Sequence, residues 1–157
     1  MKRNVSRSKT LHIRWQRLIV DGNTCPRCRS TEKELEKAVR ALRQPLALLG
    51  IRVVLEKKGV SGARFKEDAL ASNQLWLNGR LLEEWIGGTV GASPCCDVCG
   101  SSECRTIEAG GRTYETVPAG LIVLGGLLAA LQIRTRHTGA SCGSGFSPKG
   151  SERCGCS

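Results

Sequence analysis

The chain has 157 residues, enough for one domain with a real core but not for two. Its formal charge of +10 sits at the ends: Lys2, Arg3, Arg7, Lys9, Arg14 and Arg17 precede a near-neutral middle, and Arg134, Arg136, Lys149 and Arg153 follow it against Glu152. Without a basic patch or a recognition motif this charge does not favour nucleic-acid binding. The most apolar stretch, Val117 to Ile133, is broken by Pro118, Gly125 and Gly126 and is shorter than the roughly 20 residues of a membrane span.

Nine cysteines are present, an odd number that cannot all pair within one chain. The polar start, Met1 to Thr10, reads as a basic disordered tail and lacks a secretory pattern, so the expected location is the reducing cytoplasm. There, clustered cysteines point to catalysis or metal binding rather than to structural disulfides.

Leu11 to Val20 alternates apolar and polar residues with period two, the pattern of a half-buried strand that leaves His12 on the solvated face. Asp21-Gly22-Asn23-Thr24 is turn chemistry, with Thr24 the expected N-cap of a helix starting at Cys25. Leu35, Val39, Leu42, Leu46 and Leu49 then form a helical stripe, with Pro45 a kink or an early end and Gly50 a stop. Ile51 to Leu55 is a second strand, so the three elements predict a parallel βαβ unit. Lys57 to Gly62 reads as a loop and Ala63 to Ala71 as weakly helical. Gln74 to Leu77, Asn78-Gly79 and Arg80 to Leu82 make a β-hairpin.

Cys25-Pro26-Arg27-Cys28 falls between the first strand and the helix, the place of a redox-type C-x-x-C, and a metal-binding pair is the alternative. At a helix N-terminus the unpaired amides and the macrodipole favour an anion, so Cys25 is the expected attacking thiolate and Cys28 the resolving thiol. Arg27 and Arg29 are expected to add positive charge there. Glu32 and Glu56 are acid or base candidates only by proximity.

With Leu75-Trp76-Leu77-Asn78-Gly79-Arg80 downstream, Cys25-Pro26-Arg27-Cys28 resembles the thioredoxin and glutaredoxin superfamily. The chain looks closer still to an uncharacterised bacterial family of small thioredoxin-like proteins that pair a CPxC with a later Cys-Cys-x-x-Cys. The resemblance covers about Leu11 to Ile133. It implies an α/β fold, a thioredoxin-like βαβ-(α)-ββ-α core at 11–133, with a Cys-rich loop and hairpin inserted before the last helix at about 87–117. It also implies that the two cysteine clusters share an edge. Ser72-Asn73 stands where such relatives place a cis-proline, a departure that weakens the usual substrate binding and makes metal binding easier.

Gly87 to Ser93 reads as a flexible link to Cys95, Cys96, Cys99 and Cys104, the candidate metal ligands. Cys96-x-x-Cys99-Gly looks like a zinc knuckle, with Cys96, Cys99, Cys104 and one more residue as the set. The cluster reads first as a structural metal site, since isolated C-x-x-C-G turns are most often zinc ligands, and otherwise as a dithiol that exchanges with Cys25 and Cys28 or part of a joint soft-metal site. Arg105 to Glu108, Ala109-Gly110-Gly111 and Thr113 to Val117 predict a hairpin. Pro118 then opens a helix, 118–132, that is apolar all round, one side for the sheet and the other for the core or a homodimer. Residues 134–157, Gly/Ser-rich with Cys142, Cys154 and Cys156, read as a disordered tail.

Two functions follow as expectations. One is a thiol-disulfide oxidoreductase acting on a protein disulfide or small thiol through Cys25 and Cys28. The other is a non-enzymatic binder of a soft ion such as mercury, arsenite, copper(I) or zinc.

Overall fold

The computed structural model describes residues 9–95 and 97–138, the last three as backbone only. It is a mixed α/β structure built on two sheets. The first has the order β2-β1-β3-β4, from strands Lys9–Leu18 (β1), Ile51–Val60 (β2), Gln74–Leu77 (β3) and Arg80–Leu81 (β4). The second is antiparallel, β5-β6-β7, from Thr89–Pro94, Glu103–Ala109 and Arg112–Tyr114. The helices are Pro26–Leu48 (α1), Gly62–Glu67 (α2), Leu82–Ile86 (α3) and Ala119–Thr138 (α4).

β1 and β2 run parallel in unbroken register from Lys9 opposite Ile51 to Leu18 opposite Val60, and α1 connects them. β1 buries Leu11, Ile13 and Trp15, whereas His12 points to solvent, as period-two alternation requires. β3 pairs antiparallel with β1 and turns through Asn78 (φ 51°) and Gly79 (φ 82°) into β4. Two positive φ values are what a two-residue hairpin of this twist needs. On the outer face Arg14 lies over the ring of its cross-strand neighbour Trp76, 4.1 Å from the centroid.

α1 buries Cys28, Thr31, Leu35, Ala38, Val39, Leu42 and Leu46 on one face. Its N-cap is Cys25 rather than Thr24: the Cys25 Sγ accepts the Cys28 amide hydrogen at 3.4 Å, and Pro26 takes the first helical position. Pro45 does not end the helix, which runs on to Leu48. Pro45 and Ala41, whose carbonyl loses its usual amide partner, both lie on the exposed face. Gly50 (φ 70°) closes it, donating to the Ala47 carbonyl at 2.9 Å.

Three segments depart from the sequence expectation. Lys57 to Val60 is strand, not loop: β2 is an edge strand, so its lysines extend into solvent while the backbone still pairs with β1. Gly87 to Ser93 is largely the strand β5 rather than a flexible link. Its small residues permit close approach to β6, since a Cβ at Gly91 would lie 2.6 Å from Thr106 Oγ1. The expected hairpin is therefore the second part of a three-stranded sheet, and β7 stops at Tyr114. The tails expected at 1–10 and 134–157 lie mostly outside the described residues, but β1 already includes Lys9 and Thr10, and α4 continues through Arg134.

α4 buries Ile122, Gly125, Gly126, Ala129 and Ala130 and leaves Leu124, Leu127 and Leu131 41–59% exposed. Glycine allows close approach on the packed side, where a Cβ at Gly126 would come 2.7 Å from Leu42 Cδ1 of α1. Among the described residues no helix is long and apolar enough to cross a membrane.

The second sheet is held to the first by buried polar contacts. Arg105 of β6 pairs with Glu83 of α3, both buried, and donates to the Leu70 carbonyl at 3.3 Å. Thr31 Oγ1 and Glu34 of α1 accept the amide hydrogens of Val117 and Ala119 at 3.2 and 3.1 Å. These contacts fix where the loop after β5 falls.

Candidate functional site

That loop lies against the N-terminus of α1. A tight turn at Asp21 (φ 49°) and Gly22 (φ 75°), closed by two backbone hydrogen bonds between Val20 and Asn23, delivers the chain from β1 to Cys25. On the other side β5 ends in register with the start of β6, Ser93 opposite Cys104 and Pro94 opposite Glu103. Cys95 thus leaves the sheet beside Cys104. A turn of 3-10 helix, Asp97–Cys99, and Gly100 (φ 62°) bring the chain back.

The Sγ atoms of Cys25, Cys95 and Cys99 all lie within 4.8 Å of one another. The Cys95 thiol stands 3.8 Å from Cys25 Sγ, and Cys104 Sγ lies 3.2 Å from Cys99 Sγ. Cys25, Cys28, Cys99 and Cys104 are buried and Cys95 is half-buried, and none of the five is in a disulfide. Cys96, the first residue of the expected zinc knuckle, lies outside the described residues. The predicted ligands Cys95 and Cys99 thus meet Cys25 rather than forming a site apart from it. Cys104 touches Cys99 but falls outside the three-sulfur group.

Cys28 touches both Cys25 and Ser72. Its Sγ lies 3.5 Å from Ser72 Oγ, and that hydroxyl accepts the Leu18 amide hydrogen at 2.9 Å. Ser72 and Asn73 are buried, and no peptide among the described residues is cis. Asn73 (φ 59°) accepts from the Trp15 indole at 3.2 Å and donates to the Glu115 carbonyl at 3.4 Å. The Ser72-Asn73 segment is a polar knot between the two sheets.

Arg27 does more than add charge. Its guanidinium donates to the Pro94 carbonyl at 2.9 Å and the Cys104 carbonyl at 3.4 Å, and pairs with Glu115 at 3.0 Å. It therefore clamps both strands flanking Cys95 to α1, and Glu115 offsets its charge. A forked guanidinium suits such a role, but nothing in the sequence names its partners. Arg29 is exposed. Glu32 is engaged with Lys57 at 2.8 Å and Glu56 lies exposed on β2, so neither has a contact with a cysteine.

The cluster concentrates negative charge on one sulfur. Cys25 is held far below the ordinary thiol range, chiefly by hydrogen bonds from the Cys104 and Cys28 thiols, which with the Cys28 amide and Cys95 outweigh desolvation. Cys28 and Cys104 are pushed up because they keep the protons they share with Cys25, and burial adds to this. Cys99 is pushed up to about 12, first by burial. One thiolate surrounded by thiols is a site that can bind a soft cation with release of the thiol protons to solvent, or present a nucleophile.

The donor set fits a soft ion. Tetrahedral zinc–thiolate bonds of about 2.3 Å place sulfurs about 3.8 Å apart, the separation found between Cys25 and Cys95. Two openings reach the cluster. A cavity of about 320 Å³ is lined by Pro26, Arg27, Ser30, Pro94, Cys95 and Glu115, among others. A larger one, about 630 Å³, has Leu18, Phe65, Val98 and Cys99 in its wall.

Residues 11–125, a span that contains all five of these cysteines, match the domain of unknown function DUF2703. The chain is similar to an uncharacterised protein of Archaeoglobus fulgidus, 50% identical over 112 residues, which cover 71% of this chain and 82% of that protein. No solved structure matches it. The chain therefore belongs to the DUF2703 family.

Proposed function

We propose that this protein captures one soft metal or metalloid ion, such as mercury, arsenite, copper(I) or zinc, through Cys25, Cys95 and Cys99. The observation that carries this reading is the convergence within 4.8 Å of three sulfurs, one at the N-cap of α1 and two in the loop after β5. Thiolate donors select soft ions. Loading displaces the protons of Cys95 and Cys99, while Cys25 is already anionic. Thiols kept reduced for this purpose fit the cytoplasm.

A thioredoxin-like oxidoreductase is the second reading. It is supported by Cys25 as N-cap of α1 and by the order of elements, a parallel βαβ unit followed by an antiparallel hairpin. In that chemistry the Cys25 thiolate attacks a substrate disulfide, one substrate thiol leaves, and Cys28 breaks the mixed disulfide to release the other. Cys25 is, however, 0% exposed beneath Cys95, so a disulfide could reach it only after the Cys95 loop is displaced.

The deciding experiment is zinc and cadmium titration of the anaerobically reduced full chain against a chromophoric chelator, with a disulfide-reductase assay on the same sample. Tight binding of one ion, lost in Cys25→Ser, Cys95→Ser and Cys99→Ser alike, supports the metal reading. Turnover of disulfides without tight binding sinks it.

A further inference from the structure

Cys104 has no place among the three sulfurs, yet its Sγ lies 3.2 Å from that of Cys99. A disulfide bond is about 2.05 Å, so the two atoms need to close by only about 1 Å. The connecting chain is already folded for it. Gly100 and Ser102 donate to the Asp97 and Cys99 carbonyls at 3.1 and 3.4 Å, a turn that returns Cys104 to the sheet beside Cys99. Cys99 also lines the 630 Å³ cavity between α2 and the 97–102 turn, with Leu18, Val20, Phe65 and Val98 as apolar walls. Cys104 does not line that cavity, so a molecule docked there meets Cys99 first.

We propose that Cys99 and Cys104 are a redox gate on the metal site: a small disulfide entering the cavity converts them to an intramolecular disulfide, which removes Cys99 from the ion and releases it. This rests on the reading of Cys25, Cys95 and Cys99 as the ligands. The steps balance. Cys99, a thiolate while it holds the ion, attacks one sulfur of RSSR; a mixed disulfide forms and RS⁻ departs. Cys104 then attacks the Cys99 sulfur, its proton passing to the second departing RS⁻. The protein loses two electrons, and the disulfide gains them as RS⁻ and RSH. A dithiol reductant reverses both steps and restores the site.

The test uses the zinc-loaded full chain exposed to oxidised glutathione, with released zinc read by a chromophoric chelator and disulfides mapped by mass spectrometry. The expected result is release in step with a Cys99–Cys104 disulfide, reversed by dithiothreitol, whereas Cys104→Ser and Cys104→Ala stop at a Cys99–glutathione mixed disulfide. Release with a different dominant pairing, such as Cys25 with Cys28 or Cys95, overturns the proposal, as does the absence of a Cys99–glutathione mixed disulfide in both variants. If the reduced chain binds no zinc or cadmium, the metal reading itself fails. Mapping on the ion-free chain then still decides whether Cys99 and Cys104 pair.

Discussion

Cys28 Sγ lies 3.5 Å from Ser72 Oγ, and the same hydroxyl accepts the Leu18 amide hydrogen at 2.9 Å. The second cysteine of the motif is thus tied to the end of β1 as well as to Cys25. Ser72→Ala leaves a buried amide without an acceptor, a loss of about 1–3 kcal/mol. Chemical denaturation is expected to show that loss while zinc affinity stays near wild type. A collapse of affinity at unchanged stability would make Ser72 part of the metal site.

Cys28→Ser separates the two functional readings. Cys28 is outside the three-sulfur group, so the variant is expected to keep its ion. The same change removes the resolving thiol, so any disulfide-reductase turnover must stop at the mixed disulfide. A variant that loses zinc binding but retains turnover contradicts both expectations.

Arg27 holds the segments that flank Cys95 through the carbonyls of Pro94 and Cys104. Removing such a supporting contact typically costs about 10–100-fold in metal affinity, and Arg27→Met is expected to fall in that range. Arg27→Lys keeps the charge but not the fork, so it should rescue little. Glu115→Gln is the control: its side chain is 59% exposed, and an exposed ion pair contributes about 0–1 kcal/mol. Competition titration checks all three, and equal affinities would show that the clamp is not needed.

The metal-free chain should have a pH optimum of stability set by its sulfurs. Cys25 lies below the reference value of 9.0, so its contribution is complete above that pH and drains away as pH falls toward the folded value. Cys99 lies above it at about 12, so its contribution is complete below pH 9.0 and is lost between 9.0 and 12. Cys28 and Cys104, also pushed up, steepen the alkaline side. Denaturation midpoints against pH should peak near 9.0, with Cys25→Ser flattening the acid limb and Cys99→Ser the alkaline one. Unchanged limbs in both variants would refute this account of the charge.

The local patterns were legible and the long-range contacts were not. Period-two alternation located β1, the leucine stripe located α1, and Asn78-Gly79 located the hairpin. Lys57 to Val60 was hidden because an edge strand has no need of apolar side chains, and β5 was hidden because its small residues serve close approach to β6. The cysteines could be named from their spacing. Which of them converge depends on Arg27, Arg105 and Thr31, whose partners lie 22 to 86 residues away and leave no periodic trace.

The paired glycines of α4 show the same limit and give a last prediction. In the sequence Gly125 and Gly126 only interrupt an apolar run, but in the fold they let α4 settle onto its neighbours. A Cβ at Gly125 would lie 2.6 Å from Leu82 Cδ1 and 2.8 Å from Leu77 Cδ1; at Gly126 it meets Leu42 Cδ1 at 2.7 Å. Alanine gains about 1 kcal/mol of helix propensity over glycine, whereas overpacking a core costs about 1–3 kcal/mol. Gly125→Ala displaces two buried leucines at once, so overpacking is expected to win and lower stability by about 1–2 kcal/mol. Gly126→Ala meets one flexible leucine and should lie closer to neutral. Thermal and denaturant unfolding of the two variants gives the order, and a stabilised Gly125→Ala would mean that α4 packs less closely than the contacts with Leu77 and Leu82 require.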